Sequence, residues 1–577
     1  MSDRWAAALA LAVAAGAWAS RSVPLWLGLV LAAGALAARR PALLCVGAAV
    51  AASALGARSW AGLVPPVPGP VEGVATLITD PVDVAGAVRV EVRLAGRRYE
   101  AWARDAAGAR LRDRLAGQRV ELVGRVGPLN ERRLSYLSRR HLVAQISVRE
   151  IRGWSPGPGL ARLANGLRRL LLDGTTSLPA DRQALFAGLV LGDDRHQGVD
   201  TVDDFRAAGL THLLAVSGQN VAFVLALAAP LLARFGLRGR FVAGLFVLVL
   251  FGVLTRWEPS VLRAEAMATV TLLATMMGRP ASTVRVLSLA VAGLLLVDPL
   301  LVGSVGFQLS CGACTGIAVL APRLNRRLPL PVAITLAAQI GVAPVLVPVF
   351  GGLPVVSLPA NLLAVPAAGP VMVWGLAAGL PAGLVGGPVA AAVHLPTGLL
   401  VGWIAGVARW AAGLPLGQLG AAHVVVLGGL AVAGAVAPRW RRSAVAAAVV
   451  VCLVPSLVRP PVADGVELVH GATLWRRGSA TVLVVDRPSP APLLAALRRA
   501  QVRDLGVVVS TAGRDGVPGS LEPVLARHRP GLVLTAATAE VGTAVAVGGL
   551  RVVVTATRPR LAVAVTKCRQ VCAVNDR

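Results

Sequence analysis

Residues 203–223, DDFRAAGLTHLLAVSGQNVAF, decide how the rest of the chain is organised. The pattern predicts an acidic turn that runs without a break into an apolar helix, and this helix would carry His212, Ser217, Gln219 and Asn220. A helix inside a bilayer satisfies its own backbone, but each polar side chain costs free energy unless a neighbouring helix, a water or a ligand pairs with it. These side chains therefore either hold helices together or line a polar passage. Their density favours the passage.

The composition is that of an integral membrane protein. Of 577 residues, 55% are hydrophobic and the mean hydropathy is +0.69, which excludes an ordinary soluble globule. Basic residues number 57 against 29 acidic ones, and every basic residue except Lys567 is arginine. Because the arginine fork matches phosphate geometry, this excess favours an anionic partner. A GC-rich genome and the positive charge of cytoplasmic loops explain part of it.

The apolar runs predict a polytopic α-helical membrane protein with about 11–13 spans. Residues 1–62 hold three short runs, at 5–19, 24–38 and 41–57, and residues 203–458 hold about ten more. If the N-terminus is cytoplasmic, the arginine-rich loops between these runs all fall on the cytoplasmic side, as the positive-inside rule requires. The expected location is the cytoplasmic membrane, with the segment after the third span outside. The apolar run between 353 and 387 is interrupted by Pro354, Pro359, Pro366 and Pro370, which predicts a re-entrant or broken helix there.

Residues 65–153 change to the alternation of β-strands. Apolar residues at every second position of 88–94 and 99–103, with strands at 118–126 and 142–151, favour a five-stranded extracytoplasmic β-barrel of the OB type. The alternation places Trp102 on the polar face with Arg98, Glu100 and Arg104, and an exposed aromatic among guanidinium groups is a combination that stacks bases and binds phosphates. The alternative is that Trp102 rests on the membrane interface.

Residues 156–202 link this domain to the central helix. The pattern predicts two amphipathic surface helices, at 160–172 and 178–190, the first with Arg162, Arg168 and Arg169 on its polar side. Five aspartates between 193 and 204 then form an acidic approach to the central helix. An acidic approach would repel an anionic partner unless it binds a cation or pairs with arginine.

Arg263 and Glu265 interrupt an apolar span at 261–277. Ionisable groups at that depth face a partner or a cavity. Because they are two residues apart on a helix, they point in different directions and do not pair with each other. For Arg263 two roles stay open, contact with a phosphate or an ion pair with another helix. Cys311 and Cys314, which have CxxC spacing in a predicted span, are interpreted as packing residues.

The central motifs resemble those of one known family. Residues 209–220, GLTHLLAVSGQN, are similar to the signature of the ComEC family of competence proteins, and three stretches follow in the same order: PSVLRA at 259–264, Asp298-Pro299 with GFQLS at 306–310, and Asn361 with Pro366. The resemblance implies a membrane channel that carries single-stranded DNA inward during natural transformation, with an outer OB-type domain. The channel-lining candidates are His212, Ser217, Gln219, Asn220, Arg263, Gln308 and Asn361.

Residues 459–577 have an α/β pattern and resemble the metallo-β-lactamase-type domain of that family. The family's metal site reads H-x-H-x-D-H-x-G-G, and the matching positions here include Thr511, Gly513, Asp515 and Gly516. All three histidines are replaced, and one carboxylate does not hold the two metals such hydrolysis uses. The expectation is a degenerate domain that binds no metal, and a protein that is not an enzyme.

No cofactor is expected, and the sequence has no GxxxxGK[ST] motif, so an ATP-driven motor would be a separate cytoplasmic partner. Single-stranded DNA and membrane lipids are the expected contacts, with a separate DNA receptor and a nuclease as further candidates. Two other function classes stay open: a membrane-tethered metal-dependent nuclease or hydrolase, and a transporter of another anionic polymer or lipid. The oligomeric state and a pairing of Cys568 with Cys572 are left open.

Overall fold

The computed structural model describes residues 2–84, 86–279, 282–414, 416–437, 439, 441–457, 465–478, 480–502, 504–512, 521–558 and 560–567. They form two compact units. The first contains residues 1–197, 211–350 and 361–407, and the second contains residues 198–210, 351–360 and 408–577. The domain boundaries given by the sequence stay predictions.

The three N-terminal apolar runs form helices α1 (Asp3–Ala19), α2 (Leu25–Ala37) and α3 (Pro41–Ala61). Short connections send α2 back along α1, so α1 and α3 run in the same direction. Glycines set the distance between these two helices: a Cβ at Gly16 would lie 2.1 Å from the Ala49 carbonyl oxygen, and one at Gly56 would lie 3.2 Å from that of Ala17. The C-terminal ends of α1 and α3 therefore lie at the same side of the bundle.

A closed β-sheet follows α3. Its strands are β1 (Gly69–Leu77), β2 (Val82–Val84), β3 (Ala87–Leu94), β4 (Arg97–Ala103), β5 (Arg119–Gly127) and β6 (Leu142–Ser155), with α4 (Asp105–Arg112) between β4 and β5 and α5 (Leu134–Ser138) before β6. The sheet order is β1-β5-β6-β4-β3-β2, and a further β1–β3 pairing closes it. The β4–β6 pair is parallel, whereas the other pairs are antiparallel. Val90, Ala101, Val120 and Ile146 lie in its buried core.

Helices α6 (Gly159–Asp173) and α7 (Ala180–Leu191) occupy the positions predicted for surface helices. Two details of that prediction are wrong. Residues 184–191 of α7 are all buried, so this half of the helix belongs to the core of the first unit. Arg168 is 2% exposed, whereas Arg162 and Arg169 are exposed as expected.

Apart from the acidic α8, the remaining helices of the two units form the predicted apolar series. They are α8 (Val199–Ala207), α9 (Gly218–Leu232), α10 (Leu237–Leu254), α11 (Pro259–Met276), α12 (Thr283–Val297), α13 (Val305–Leu324), α14 (Leu330–Phe350), α15 (Ser357–Ala377), α16 (Gly379–Val385), α17 (Gly387–Gly413), α18 (Ala421–Val436) and α19 (Arg441–Leu457). In the second unit, the short strands β7 (Leu353–Pro354) and β8 (Gln418–Leu419) pair antiparallel.

Within the described residues, seven helices are long and apolar enough to cross a membrane: α3, α9 with the turn before it, α10, α13, α14, α15 and α17. The chain is therefore a multi-pass membrane protein. The predicted 11–13 spans include shorter helices, such as α2 with 13 residues and α12 with 15, which are too short to cross a bilayer upright.

The helix is broken between residues 353 and 387, as predicted, but the break does not lie at the prolines of α15. Helix α15 continues through Pro366 and Pro370, and the chain breaks only after Ala377, where the short α16 follows. A proline removes one donor from a helix, and neighbouring helices in a membrane bundle tolerate such a loss.

Glycines also bring α13 and α14 together. A Cβ at Gly312 would lie 2.5 Å from the Gly341 carbonyl oxygen, and one at Gly316 would lie 2.2 Å from that of Ala337. Backbone therefore packs directly on backbone between these helices, which is the small-residue packing typical of membrane bundles.

The C-terminal part of the second unit is α/β. Strands β9 (Val466–Val469), β10 (Ala472–Arg477), β11 (Ala480–Val485), β12 (Val507–Ser510) and β13 (Leu532–Leu534) form a sheet of order β13-β12-β11-β10-β9, in which β11, β12 and β13 are parallel. Helices α20 (Pro490–Arg499) and α21 (Glu522–His528) connect the parallel strands. Strands β14 (Ala544–Val547), β15 (Leu550–Ala556) and β16 (Ala562–Lys567) form an antiparallel sheet.

Candidate functional site

The signature segment is not one continuous helix, so that prediction is wrong. Helix α8 ends at Ala207, Gly209 has φ +70, residues 211–213 form a 3₁₀ turn, and Ser217 is extended before α9 begins at Gly218. A glycine with positive φ is the usual way to end a helix. The polar residues therefore lie in the turn before α9 and in its first turn, rather than along a membrane-crossing helix.

The polar groups at the start of α9 are brought together as predicted. The Ser217 hydroxyl donates to Asn220 Oδ1 at 3.3 Å, and Asn220 Nδ2 donates to the Leu189 carbonyl of α7 at 2.8 Å. His212, Ser217, Gln219 and Asn220 line one small pocket, in which Phe223 and Ala368 provide the apolar wall. The pocket volume is about 10 Å³, the space of roughly a single water molecule. In this conformation the four side chains enclose no passage.

A second signature stretch contacts this turn. At the start of α11 the Ser260 hydroxyl donates to the Val216 carbonyl at 2.8 Å, next to the extended Ser217. One turn later Arg263, which is 5% exposed, reaches the first residue of α9: a Cβ on Gly218 would lie 2.6 Å from Arg263 Nη2. Glycine at position 218 is therefore required for the close approach of the guanidinium.

Arg263 also reaches the third signature stretch. Its Nε donates to the Ser310 hydroxyl of α13 at 2.7 Å, and its Nη1 lies 2.7 Å from Cys314 Sγ. Cys314, interpreted from sequence as a packing residue, is thus a neighbour of the guanidinium. Residues 209–220, 259–264 and 306–310, far apart in the chain, meet at Arg263.

The surroundings of Arg263 favour an anion. Within the described residues no carboxylate lies within ion-pair distance of Arg263, and its Nη2 makes no hydrogen bond there. The open end of the guanidinium faces the N-terminus of α9, whose Ser217 side chain does not cap the helix. The helix dipole and the free N–H groups of that terminus also attract negative charge. A buried cation without a counter-ion is costly, so an anion at this position would be stabilised by both groups.

Two predicted lining residues lie apart from the pocket. Gln308 Nε2 donates to the Val302 carbonyl at 2.8 Å and so holds the turn that precedes α13. Asn361 is buried on α15, the helix that supplies Ala368, but it does not line the pocket. The structure therefore brings together five of the seven candidates: His212, Ser217, Gln219, Asn220 and Arg263.

The Asp298-Pro299 motif has a different place. Asp298 Oδ1 accepts from the Leu300 N–H at 3.1 Å and lies 3.0 Å from His141 Nε2, just before β6 of the barrel. The neighbouring Arg139 donates to the Gly303 carbonyl at 2.5 Å. This motif therefore fastens the barrel loop to the segment between α12 and α13.

The predicted DNA-binding residues of the barrel are less open than expected. Trp102 is half-buried, and its indole Nε1 donates to Glu100 Oε2 at 3.0 Å. Glu100 is 2% exposed and is held by Arg133 at 3.1 Å. Arg98 is half-buried as well, and burial, followed by the nearby Arg93, lowers its pKa. Only Arg104 is exposed as predicted.

Sequence reasoning missed a more open aromatic on the same barrel. Trp154, at the end of β6, is 54% exposed, and the Arg114 guanidinium lies 4.3 Å from its ring centroid. An arginine over an indole is a cation–π pair. The alternation rule does not place Trp154, because Glu121 pairs with Gly153 and Leu122 with Ile151, which leaves an extra residue in β6.

The acidic approach is neutralised by arginine. In the first unit Arg168 Nη2 donates to Asp193 at 2.9 Å and to Asp80 at 3.1 Å, and Arg195 and Arg256 complete the cluster. Burial alone would raise the pKa of Asp80, but Arg168, Arg256 and Arg195 hold it below the usual value. The pKa of Asp193 is also lowered: Arg195 and Arg168 outweigh the effect of burial.

The rest of the acidic approach pairs within the second unit. Asp203 forms an ion pair with Arg498 of α20, and Asp204 forms one with Arg527 of α21. The arginine partner that the sequence left open is therefore present for both aspartates.

The degenerate metal position is only partly described. Thr511, which stands for the first histidine, donates from its N–H and its hydroxyl to the Val485 carbonyl at 2.8 and 3.1 Å. Gly513, Asp515 and Gly516 lie outside the described residues, as do Cys568 and Cys572. The loss of metal chemistry stays a prediction.

The fold and the motif cluster define a multi-pass membrane protein whose signature segments meet at a buried arginine. Comparison with known proteins identifies a family match for part of the chain. Residues 189–442 match the family model described as "Competence protein". ComE operon protein 3 of Bacillus subtilis (strain 168) is 28% identical over 237 residues, which cover 40% of this chain and 30% of that relative. No solved structure matches.

Residues 189–442 therefore match the competence protein family, in agreement with the resemblance drawn from the signature. The chain spans about 30% of the length of the curated relative it matches. The family match begins at the end of α7 and ends within α19, so the barrel and the C-terminal sheets lie outside it.

Proposed function

We propose that this protein is the channel that carries single-stranded DNA across the cytoplasmic membrane during natural transformation. The match of residues 189–442 to the competence family model supports the proposal. The observation that carries it is the position of Arg263, a buried cation whose Nη2 bonds none of the described residues and faces the N-terminus of α9. Phosphate is the group that these two features bind best, and each nucleotide of a DNA strand presents one.

The proposed transport step is electrostatic. A phosphate passes at Arg263 and the start of α9, while Ser217, Gln219 and Asn220 replace part of the hydration of the strand. The pocket of about 10 Å³ admits no nucleotide. Transport therefore requires the start of α9 to separate from the wall provided by α15.

We also propose that the barrel is an OB-type domain on the outer side of the membrane that receives DNA. Two features support the OB type: the five long strands close in the order β1-β3-β4-β6-β5, and β4 pairs parallel with β6. The arginine-rich loops on the opposite side support the orientation. Arg98, Trp102 and Arg104 stay candidates for DNA contact, with Trp154 and Arg114 as the more exposed pair.

For the C-terminal α/β region we propose a binding role without catalysis. Its likeness to a metallo-β-lactamase domain that has lost its histidines supports this role. Two ion pairs, Asp203 with Arg498 and Asp204 with Arg527, connect it to α8, the helix directly before the signature. Strand degradation and ATP-driven pulling then belong to separate partners.

The test compares DNA uptake in cells that carry the wild-type chain, a deletion, or single variants. Removal of the guanidinium in Arg263→Gln is expected to lower uptake at least about tenfold, since a charge-assisted hydrogen bond contributes about 1.5 to 3 kcal/mol. Arg285→Gln is the matched control, because Arg285 lies at the end of a neighbouring helix and its guanidinium binds Asp3.

Protein abundance in the membrane is measured for each variant. Undiminished uptake of labelled DNA in the deletion strain would refute the channel. Normal uptake in Arg263→Gln alone would leave the channel in place but remove Arg263 from the path.

A further inference from the structure

A larger pocket lies outside the motif cluster, where the ends of α1 and α3 meet the segment between α12 and α13. Its volume is about 100 Å³. Trp18 and Trp60 form its aromatic walls, Arg139 enters from the barrel loop before β6, and Leu300 and Gly303 close the remaining side.

The pocket lies at the level of a membrane surface. Trp18 is the second-to-last residue of α1, and Trp60 holds the same position in α3. Because these two helices run in the same direction, both indoles lie at the side of the bundle where the chain leaves α3 for the barrel. Trp18 is 66% exposed and Trp60 is 43% exposed. Partly exposed tryptophans at helix ends mark the headgroup region of a bilayer.

The pocket is rich in donors and poor in acceptors. The guanidinium of Arg139 donates from Nη1 to the Gly303 carbonyl, and within the described residues its Nε and Nη2 make no hydrogen bond. The indole N–H groups of Trp18 and Trp60 have no acceptor there either. Asp298, the acidic residue next to this segment, is occupied by His141 and by the Leu300 N–H. One cation and two indole donors thus share a pocket in which no carboxylate neutralises them.

We propose that this pocket binds the phosphate of an anionic phospholipid. Sites that enclose a whole small molecule measure roughly 300 to 1,000 Å³, so about 100 Å³ accepts only a small headgroup fragment. The rest of the ligand must lie outside, and the adjoining helices provide an apolar surface for acyl chains: Leu11 on α1 is 72% exposed and Val46 on α3 is 53% exposed. A DNA strand also offers phosphates, but this apolar surface suits acyl chains and not a charged backbone.

The bound lipid would hold the barrel at the membrane surface. Arg139 belongs to the barrel loop that also carries His141, so a phosphate at Arg139 would tie the barrel to the bilayer surface as well as to the helices. This inference is independent of the DNA path, because the pocket shares no residue with the site at Arg263.

The experiment measures lipid retention. The purified full-length chain is exchanged into nanodiscs of phosphatidylglycerol and phosphatidylcholine at equal amounts, released, and weighed by native mass spectrometry. Arg139→Gln is expected to lower the retained phosphatidylglycerol at least about fivefold, since one arginine near a membrane surface contributes about that factor. The variant Trp18→Phe, Trp60→Phe keeps both rings and loses both donors, so it should reduce retention in the same direction.

Two controls are matched to these changes. Arg152→Gln removes an exposed barrel arginine that pairs with Glu72 outside the pocket, and Trp26→Phe changes an exposed tryptophan at the end of α2. Both should retain the wild-type amount of lipid.

A parallel arm adds a short oligothymidylate to the same samples. Unchanged phosphatidylglycerol in Arg139→Gln and in the double variant would overturn the proposal. Displacement of the lipid by the oligonucleotide, with binding lost in Arg139→Gln, would assign the pocket to DNA instead. Size-exclusion profiles identify any variant that fails to fold. If Arg139→Gln does not fold, the double tryptophan variant, which alters no charge, tests the proposal.

Discussion

Arg168 provides the sharpest test of how the barrel is held on the helices. This buried guanidinium donates to the Leu191 and Leu254 carbonyls at 2.9 and 2.7 Å and to Asp193 and Asp80 at 2.9 and 3.1 Å. It thereby joins a barrel loop, the end of α7 and the end of α10. Arg168→Met keeps most of the side-chain volume and removes all four hydrogen bonds.

The expected loss of stability in Arg168→Met depends on which charged groups stay buried after the substitution. Removal of one partner from a buried ion pair costs about 3 to 5 kcal/mol, because it leaves a charge buried without compensation. Arg195 still pairs with Asp193 and Arg256 still pairs with Asp80, so the loss from the ion pairs should lie near the lower end of this range. The two carbonyls lose a donor as well, at about 1 kcal/mol each. We expect a loss of about 3 to 5 kcal/mol at neutral pH.

The variant should also change the acid sensitivity of the fold. Because the arginines hold the pKa values of Asp80 and Asp193 below their unfolded value of 3.8, the stability they contribute is fully present above that value and is lost as pH falls through the lower folded values. Without Arg168 both folded pKa values rise. The two carboxylates then contribute less stability at neutral pH, and less remains to be lost on acidification.

The assay is unfolding in mixed micelles at increasing dodecyl sulfate, followed by circular dichroism. Arg169→Met, the exposed neighbour on the same helix, is the control and should change stability by less than about 0.5 kcal/mol. A difference of less than about 1 kcal/mol between the unfolding free energies of Arg168→Met and Arg169→Met would refute the stabilising role of the buried cluster.

Three further predictions concern the site and its surroundings. Gly218→Ala places a Cβ 2.6 Å from Arg263 Nη2 and should lower DNA uptake as Arg263→Gln does, whereas Gly306→Ala, where a Cβ meets nothing within 4 Å, should not; equal uptake in both would contradict the close approach. Trp154→Ala should weaken oligonucleotide binding, measured by fluorescence anisotropy, by about 1 to 3 kcal/mol, and a larger loss in Trp102→Ala would return the stacking role to Trp102. Asp204→Asn and Arg527→Gln should show a coupling free energy of about 0.5 to 3 kcal/mol in a double-mutant cycle of unfolding, and additive effects would argue against their ion pair.

The sequence predicted the positions of the helices and strands better than the tertiary contacts between them. Apolar runs and strict alternation locate α1 to α3 and the barrel strands within a few residues, because hydrophobic period is a local property. The family signature selected most of the residues that meet at Arg263. It could not show that Ser260 binds the Val216 carbonyl, since that contact depends on how α11 packs on the turn before α9.

Two failures share a physical cause. Arg168 was assigned to a polar helix face because arginine usually lies there, yet Asp80, far away in the chain, supplies a charge that allows it to be buried. Trp154 was overlooked because the predicted strand ended at residue 151, and two register shifts in β6 change the alternation before Trp154. In both cases a single long-range partner overrides the local rule, and a single sequence does not reveal that partner.

In the proposed channel, the glycine contact between α13 and α14 would limit which helices move during transport. At Gly312, Gly316 and Gly341 the backbone of one helix packs on the backbone of the other, so no side chain separates the two helices at these positions. Arg263 bonds α11 to this pair through Ser310, so the three helices form one connected wall. The start of α9 is connected to that wall by the Ser260 hydrogen bond and by the contact at Gly218. In the proposed channel, entry of a strand would therefore displace the turn before α9 relative to these three helices, and this movement would break the Ser260 hydrogen bond.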